Sequence, residues 1–212
     1  DLARLEEIAD VEGKRTKEFL QAKAQDYKVN IVGGSVAIKE HEQFYNTTYI
    51  VDKQGKFISE YRKVHLFRLM DEDKYLAAGN QKNVFELAGV KSASFICYDI
   101  RFPEWLRTVA KEKLSVIYVV AQWPQTRIEQ WKALLVARAI ENQAYVVAVN
   151  RVGDNPDNKF NGHSLIINPL GEVLSDSGDQ ETLTVYDLDT SEMEKFTQQI
   201  HVFEDRRPEL YD

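Results

Sequence analysis

The chain has 212 residues, of which 43% are hydrophobic and 29% charged, so it can bury the core of a globular domain and lacks the composition of a disordered protein. Its formal net charge of −7, with acidic and basic residues interleaved, argues against a nucleic-acid partner. The sequence has no apolar stretch approaching the roughly 18 residues of a membrane span and no signal peptide in its polar N-terminal segment, which together favour a cytoplasmic protein.

The N-terminal part of the chain predicts a helix followed by a strand. Residues 13–27 have the spacing of an amphipathic helix. The residues predicted to share its buried face are Thr16, Phe19, Leu20 and Ala24. The following β-branched run, 29–38, predicts a buried strand that Gly33 and Gly34 interrupt with a kink or bulge.

Two hairpins are predicted next. Residues 44–64 form two strand-like runs around a turn at 52–55, where Gly55 can take a positive φ. Residues 84–98 repeat the pattern with a turn at Ala88 and Gly89.

The second half predicts alternating helices and strands. In chain order these are a helix from Pro103 to about Lys111, a strand over 114–121, a helix over 127–143, a strand over 144–153, a strand-turn-strand unit over 163–176, a strand over 181–189 and a helix over 191–199. Buried strands mixed with helices indicate an α/β fold with mixed sheets. We find no repeat or linker, which indicates one domain over residues 1–212.

Polar residues follow three of the apolar strands, in segments 61–67, 96–105 and 121–127. Ligands of open α/β sheets usually bind at the ends of strands, so these segments are the candidate site. Cys97 is the only cysteine, which excludes an internal disulfide. Taken alone it could be a buried inert thiol or a nucleophile activated by a nearby cation and by backbone N–H groups.

The neighbouring charges also allow two interpretations. Lys63 could be a solvated surface charge or a fixed cation that stabilises an oxyanion. Asp99 and Arg101 lie just beyond a buried strand, where charges need partners, and His65 would share the side of Lys63 if the strand continued. Of the four histidines, His163 favours a structural role, and with no i, i+4 pair of histidines a metal site is not expected. Phosphate-binding glycine motifs are missing as well, so no nucleotide cofactor is expected.

Three stretches, "YRKVHLF", "ICYDIRFPEW" and "WKALLVARAIENQAYVVAVNRVG", together resemble the nitrilase or carbon–nitrogen hydrolase superfamily, and most of all its omega-amidase branch. The similarity runs from residue 1 to about residue 205. It implies a four-layer α-β-β-α sandwich, in which helices flank two mixed sheets. It also implies an amide hydrolase without a metal or organic cofactor.

The resemblance assigns roles residue by residue. It implies that Cys97 is the nucleophile, that Lys63 is the catalytic lysine and that Glu72 is a second glutamate that orients the substrate or the lysine. Lys63 and the backbone N–H of Tyr98 would form the oxyanion hole. The segment 121–127 resembles the substrate pocket of the family; a carboxylate contact from Arg127 is as plausible as a helix-capping or surface role, and Trp123 is the other contact expected there. A homodimer is implied too, with the long helix and the tail around 200–212 as contacts.

One family feature has no match. The triad of the family is Glu-Lys-Cys, and its first glutamate lies in an "LPE" segment, whereas Glu6 and Glu7 here lie in a helical context. By the resemblance, residue 1 falls just downstream of that element. We therefore expect that the sequence given lacks an N-terminal strand-helix-strand unit with the general base, as a fragment of a longer protein more readily than as a truncated relative.

The expected reaction is the hydrolysis of a small dicarboxylate mono-amide such as 2-oxoglutaramate through a thioester on Cys97, with release of ammonia. Two alternatives stay open. One is the same chemistry on another amide, either of the deaminated-glutathione type or aliphatic. The other is a catalytically dead scaffold or interaction protein, if the glutamate is genuinely absent.

Overall fold

The computed structural model describes residues 4–211 and, at positions 192, 194 and 199, the backbone alone. In the described part the strands are β1 (Asp10–Val11), β2 (Ile31–Val32), β3 (Val36–Glu40), β4 (Gln43–Val51), β5 (Phe57–Arg62), β6 (Val84–Leu87), β7 (Val90–Ile96), β8 (Val116–Ala121), β9 (Tyr145–Asn150), β10 (Val152–Asp154), β11 (Lys159–Asn161), β12 (Leu165–Ile167) and β13 (Val173–Asp176). The helices are α1 (Leu5–Ile8), α2 (Lys14–Tyr27), α3 (Glu72–Tyr75), α4 (Pro103–Ala110), α5 (Ile128–Asn142) and α6 (Met193–Gln199).

The first sheet is mixed: β1 and β3 are parallel, and β2, β3 and β5 all pair antiparallel with β4. In the pairing with β4, Val32 lies opposite Ile50 and Val36 lies opposite Thr47. Between these two pairs the chain advances four residues from Val32 to Val36 but only three along β4. The extra residue forms a bulge at Gly33 and Gly34. The predicted interruption of this strand is confirmed.

The second sheet has the order β13-β12-β9-β8-β7-β6. Its central strands β7, β8 and β9 are parallel, and the outer pairings are antiparallel. The parallel strands are joined by α4 and α5, as parallel pairing requires a crossover connection. Residues in β8 and β9 are mostly buried, because helices cover one face of this sheet and the first sheet covers part of the other.

Three groups of apolar contacts define the layers. Leu20 and Ala24 of α2 pack on the first sheet, and Ile50 of that sheet packs against Phe85 and Leu87 of the second. On the far side, α4 and α5 pack on the second sheet through fully buried side chains, among them Leu106, Val109, Trp131, Leu135 and Ala139. The order helix, sheet, sheet, helix is the expected four-layer sandwich.

The strand predicted over 181–189 is wrong. These residues form no strand, and the side chains of Leu183 and Val185 are 88% and 82% exposed. The order of the second sheet ends at β13, so the segment has no neighbour to complete a ladder. Alternating β-branched and apolar residues favour a strand only where a partner strand and a packed surface are present.

The helix over 13–27 is confirmed, but one member of its predicted buried face is not. Leu20 and Ala24 are buried, whereas Phe19 is 59% exposed. The stripe that contacts the first sheet is therefore narrower than the periodicity suggested. Across residues 4–211, no helix combines the length and the apolar character needed to cross a bilayer.

Candidate active site

Three strand ends converge where the sequence predicted a site. Lys63 follows β5, Cys97 follows β7 and Gln122 follows β8. Because β7 and β8 are adjacent parallel strands, their carboxyl ends lie side by side, and the backbone of Gln122 lies close enough to Cys97 to lower the pKa of the thiol. The charge of Lys63 acts on Cys97 from the end of the other sheet. The candidate site therefore lies at the junction of the two sheets.

Cys97 occupies a strained turn. It begins the short 3-10 helix Cys97–Arg101 with φ +49°, a left-handed conformation that costs a residue other than glycine on the order of 1–3 kcal/mol. The turn moves the side chain off the strand direction and leaves it half-buried. The N–H of Tyr98 is one of the first donors of this helix, and such donors have no partner within a helix.

Burial and the charge of Lys63 act on the Cys97 thiol in opposite directions. Burial raises the pKa of Cys97 above its ordinary value of 9.0, because the packed surroundings disfavour the charged form. The ammonium of Lys63 lowers the pKa but does not reverse the shift, and Glu72 and Asp99 add negative charge that raises it. The surroundings of Cys97 therefore favour the neutral thiol over the thiolate.

Lys63 is a buried cation with a dedicated carboxylate. Its side chain is 1% exposed, and its Nζ donates to both oxygens of Glu72 at 2.6 and 2.8 Å. Glu72 also accepts the backbone N–H of Phe67 at 2.7 Å, so the carboxylate is fixed by a second donor. The solvated-charge interpretation of Lys63 is wrong, since water has almost no access to it.

The backbone around Lys63 is held on both sides. Its N–H donates to the carbonyl of Asn46 at 2.9 Å, and its carbonyl accepts the N–H of Gly79 at 2.8 Å. A Cβ at position 79 would lie 2.2 Å from the carbonyl oxygen of Arg62, so only glycine allows this close approach. The loop that carries Glu72 thus returns to the strand end at a glycine.

Asp99 links the segment that carries Lys63 to the turn that begins at Cys97. It is fully buried, and its Oδ2 accepts from the hydroxyl of Tyr61 at 2.8 Å and from the N–H of Ile96 at 3.0 Å. Its Oδ1 accepts the N–H of His65 at 3.0 Å and lies 2.8 Å from the Nδ1 of the same residue. Burial, together with the charge of Asp99, raises the pKa of Tyr61, so the phenol keeps the proton that it donates.

Of two expectations about neighbouring side chains, one is wrong and one is confirmed. Strand β5 ends at Arg62, so His65 does not continue its pattern beside Lys63; it turns to Asp99 and stacks on Phe102 with 3.8 Å between ring centroids. Asp99 and Arg101 both have partners, as expected of charges there, but not each other. The Arg101 guanidinium bonds Gln130 and lies 4.9 Å from the Trp123 ring centroid.

The two residues expected in a substrate pocket lie in different environments. Trp123 is 3% exposed, its indole N–H donates to the carbonyl of Arg127 at 2.8 Å, and its ring packs on Trp131. Arg127 is partly exposed, with its guanidinium 6.0 Å from the ring centroid of Phe67. Because the N–H of Phe67 binds Glu72, Arg127 is on the side of the site that carries the Lys63 pair.

An open cavity of about 610 Å³ lies beside the segment that follows Lys63, and its lining includes neither Trp123 nor Arg127. Its lining includes His65, Phe67, Arg68, Tyr98 and Phe102, so it contacts the residue that follows Cys97. Aromatic walls with a few polar groups are typical of small-molecule sites. Among the described residues, no cluster of three histidine, cysteine or carboxylate side chains is arranged to hold a metal ion.

The sequence interpretation missed two contributors. Tyr61 precedes Lys63 by two residues and carries the hydrogen bond to Asp99, a role that the alternation of polar side chains in "EYRKVH" could have suggested. Gln122 contacts Cys97 through its backbone, so its side-chain type carries no signal. As a whole, the arrangement brings a thiol, a buried cation and backbone N–H groups to neighbouring strand ends, and these groups suit the addition of sulfur to a carbonyl carbon.

Comparison with known proteins gives a consistent result. Residues 3–198 match the family model described as carbon-nitrogen hydrolase. A 2-oxoglutaramate amidase of Bacillus subtilis is 50% identical over 211 residues, which cover 100% of this chain and 82% of the relative. A hydrolase in the agr operon of Staphylococcus lugdunensis is 41% identical over 99% of this chain and 91% of its own length. The crystal structure of a CN-hydrolase superfamily protein from Xanthomonas campestris superposes with a TM-score of 0.90 at 27% identity, covering 97% of this chain and 79% of that one.

Proposed function

The chain belongs to the carbon–nitrogen hydrolase family, and from that premise we propose that it is an amidase that hydrolyses 2-oxoglutaramate or a closely similar dicarboxylate mono-amide. The name of the Bacillus subtilis relative supports the substrate, because half of the residues are identical along the whole chain. The observation that carries the chemistry is Cys97 in a left-handed turn beside a buried Lys63–Glu72 pair.

In the proposed reaction, the sulfur of Cys97 adds to the amide carbonyl carbon and the carbonyl oxygen becomes an oxyanion. Lys63 and the N–H of Tyr98 donate to that oxygen; one well-placed donor of this kind contributes about 3–4 kcal/mol to the transition state. The C–N bond then breaks, the nitrogen leaves as ammonia, and the acyl group stays on sulfur as a thioester. Water hydrolyses the thioester to the carboxylic acid and restores the thiol.

The raised pKa of Cys97 makes proton transfer part of the first step. A neutral thiol must lose its proton as it attacks, and the departing nitrogen must gain one, so a general base has to carry a proton from one to the other. The resemblance gives this task to a glutamate in an "LPE" segment, for which this sequence has no match.

Glu72 and Arg127 take supporting roles in the proposal. Glu72 holds the ammonium of Lys63 by two hydrogen bonds, which keeps the cation in one orientation before the oxyanion forms. Arg127 is the proposed contact for the free carboxylate of the substrate, since a guanidinium binds a carboxylate through two parallel hydrogen bonds. Trp123 lies behind it and fixes its backbone through the indole N–H.

We also propose a homodimer that uses α5 and the C-terminal tail. Ile140 on α5 is 48% exposed, and the tail packs beside this helix through a hydrogen bond from the Gln143 side chain to the Ile200 carbonyl. Light scattering coupled to size exclusion measures the assembly. The mass of a single chain at working concentration would refute this part of the proposal.

The substrate is tested by following ammonia release from 2-oxoglutaramate, a deaminated-glutathione-type amide and an aliphatic amide. In a protein that contains the "LPE" glutamate, we expect the highest kcat/KM with 2-oxoglutaramate. Cys97→Ala should release no ammonia and should retain the fold because its Cβ stays. Lys132→Met serves as a matched control that removes a cation paired with Asp176 and not with Glu72, and it should keep activity. Preference for another amide would refute the substrate, and full turnover by Cys97→Ala would refute the mechanism. Absence of turnover on every amide would favour the scaffold interpretation.

A further inference from the structure

The geometry points to Asp99 as a positioning residue that fixes Lys63 and Cys97 relative to each other. The inference rests on the proposed roles of those two residues. It adds a role for a carboxylate that contacts neither the substrate nor either catalytic side chain by hydrogen bond.

The contacts of Asp99 are distributed over both catalytic segments. Tyr61 and His65 lie two residues before and two residues after Lys63, and both bind the Asp99 carboxylate. Ile96, whose N–H donates to the same carboxylate, immediately precedes Cys97. One fully buried group therefore ties the strand end that carries the lysine to the turn that carries the nucleophile.

The carboxylate cannot act on a reactant itself. It accepts four hydrogen bonds, two on each oxygen, which fills the acceptor sites of a carboxylate. Its charge also works against reactivity, because it raises the pKa of Cys97. The role that remains for the Asp99 carboxylate is to fix the chain on either side of Lys63 and before Cys97.

Cys97 gives that geometry a specific use. The left-handed turn at φ +49° is unfavourable for cysteine and persists only where the surroundings hold it. The carboxylate of Asp99 accepts the N–H of Ile96, the residue before Cys97, and Asp99 itself belongs to the 3-10 helix that begins at Cys97. The indole N–H of Trp105 donates to the Tyr61 hydroxyl at 3.0 Å, which extends the network into α4.

The test compares Asp99→Asn with wild type in two assays, ammonia release and alkylation of Cys97 by iodoacetamide at about pH 8. We expect kcat to fall by about 100-fold with little change in KM, since a displacement of about 1 Å can cost that much. Alkylation should become about tenfold slower, the effect of a thiol pKa that rises by one unit as Lys63 moves away. If the charge of Asp99 mattered and its geometry did not, alkylation would become faster. Faster or unchanged alkylation overturns the inference.

Asp10→Asn is the matched control. Asp10 is also a buried carboxylate with several donors, but it binds Thr16 and Arg15 at the start of α2. The control should alkylate at the wild-type rate, and an equal slowing there would show general loosening and overturn the inference. If wild type released no ammonia from any amide, the proposed function would fail while the alkylation comparison would still decide the role of Asp99.

A second pair of variants covers the case in which Asp99→Asn does not fold. His65→Ala removes one side-chain donor to Asp99, and His65→Asn restores an N–H close to the position of Nδ1. We expect slower alkylation in His65→Ala and recovery in His65→Asn. Equal rates in the two variants would overturn the inference.

Discussion

The pair formed by Lys63 and Glu72 gives the sharpest stability prediction. Lys63 is 1% exposed and Glu72 14% exposed, so removal of either partner leaves the other as an uncompensated charge in a poorly solvated place. Such a change costs about 3–5 kcal/mol of unfolding free energy. For Lys63→Met we expect the lower end, about 3 kcal/mol, because Glu72 keeps the N–H of Phe67 and limited access to water.

The predicted cost of Glu72→Gln is about 4 kcal/mol, because the buried ammonium then faces an amide in place of a carboxylate. In a domain of this size each kcal/mol lowers Tm by about 2–4 °C, so Lys63→Met should lower it by about 6–12 °C. The double variant Lys63→Met with Glu72→Gln should cost at least about 2 kcal/mol less than the sum of the single changes, since neither charge is left alone.

Urea unfolding followed by circular dichroism measures all three variants. Lys91→Met is the matched control, since Lys91 and Glu112 form a pair with side chains about half exposed, and its stability should not change measurably. Costs of the single changes that add to within about 0.5 kcal/mol would show that the pair is not coupled and would refute the reasoning.

Three further predictions concern other parts of the chain. Gly79→Ala should destabilise the fold by about 1–3 kcal/mol and reduce activity, because its Cβ would lie 2.2 Å from the carbonyl oxygen of Arg62 beside Lys63; wild-type urea unfolding would contradict the close approach. Alkylation of Cys97 should still accelerate from about pH 8 to about pH 10, because burial raises the thiol pKa and outweighs the cation; a rate that levels off below pH 8 would contradict the raised pKa. Leu183→Ser should change stability by less than about 0.5 kcal/mol, since the side chain is 88% exposed; a larger loss in thermal melts would mean that segment 181–189 is packed.

Local patterns predicted most of the elements. The turn at Ala88 and Gly89 has φ of +52° and +79°, so the hairpin rests on local turn geometry that two residues specify. The helix that begins at Pro103 could be predicted as well, because proline is common at the first position of a helix. The strand prediction for 181–189 was wrong because a strand depends on a neighbouring strand, and the sequence of the segment alone does not show whether one is present.

The site divides in the same way. Cys97 and Lys63 could be identified because each follows an apolar strand and matches a family motif. The direction of the pKa shift of Cys97 could not be predicted from the sequence. It depends on how closely the chain packs around the sulfur and on the carboxylates of Glu72 and Asp99. The hydrogen bond that links Tyr61 to Asp99 joins positions 38 apart in sequence, and only the packing of the two sheets brings them together.

Trapping of the acyl-enzyme tests the role of Cys97 most directly. The protein is mixed with 2-oxoglutaramate, quenched in acid within the first turnover and digested, and the peptide that contains residue 97 is weighed by mass spectrometry. We predict an increase equal to the substrate minus ammonia, removable by hydroxylamine and absent from Cys97→Ala. The same acyl group found on a peptide without residue 97, or ammonia released with no acyl group on any peptide, would contradict the proposed thioester.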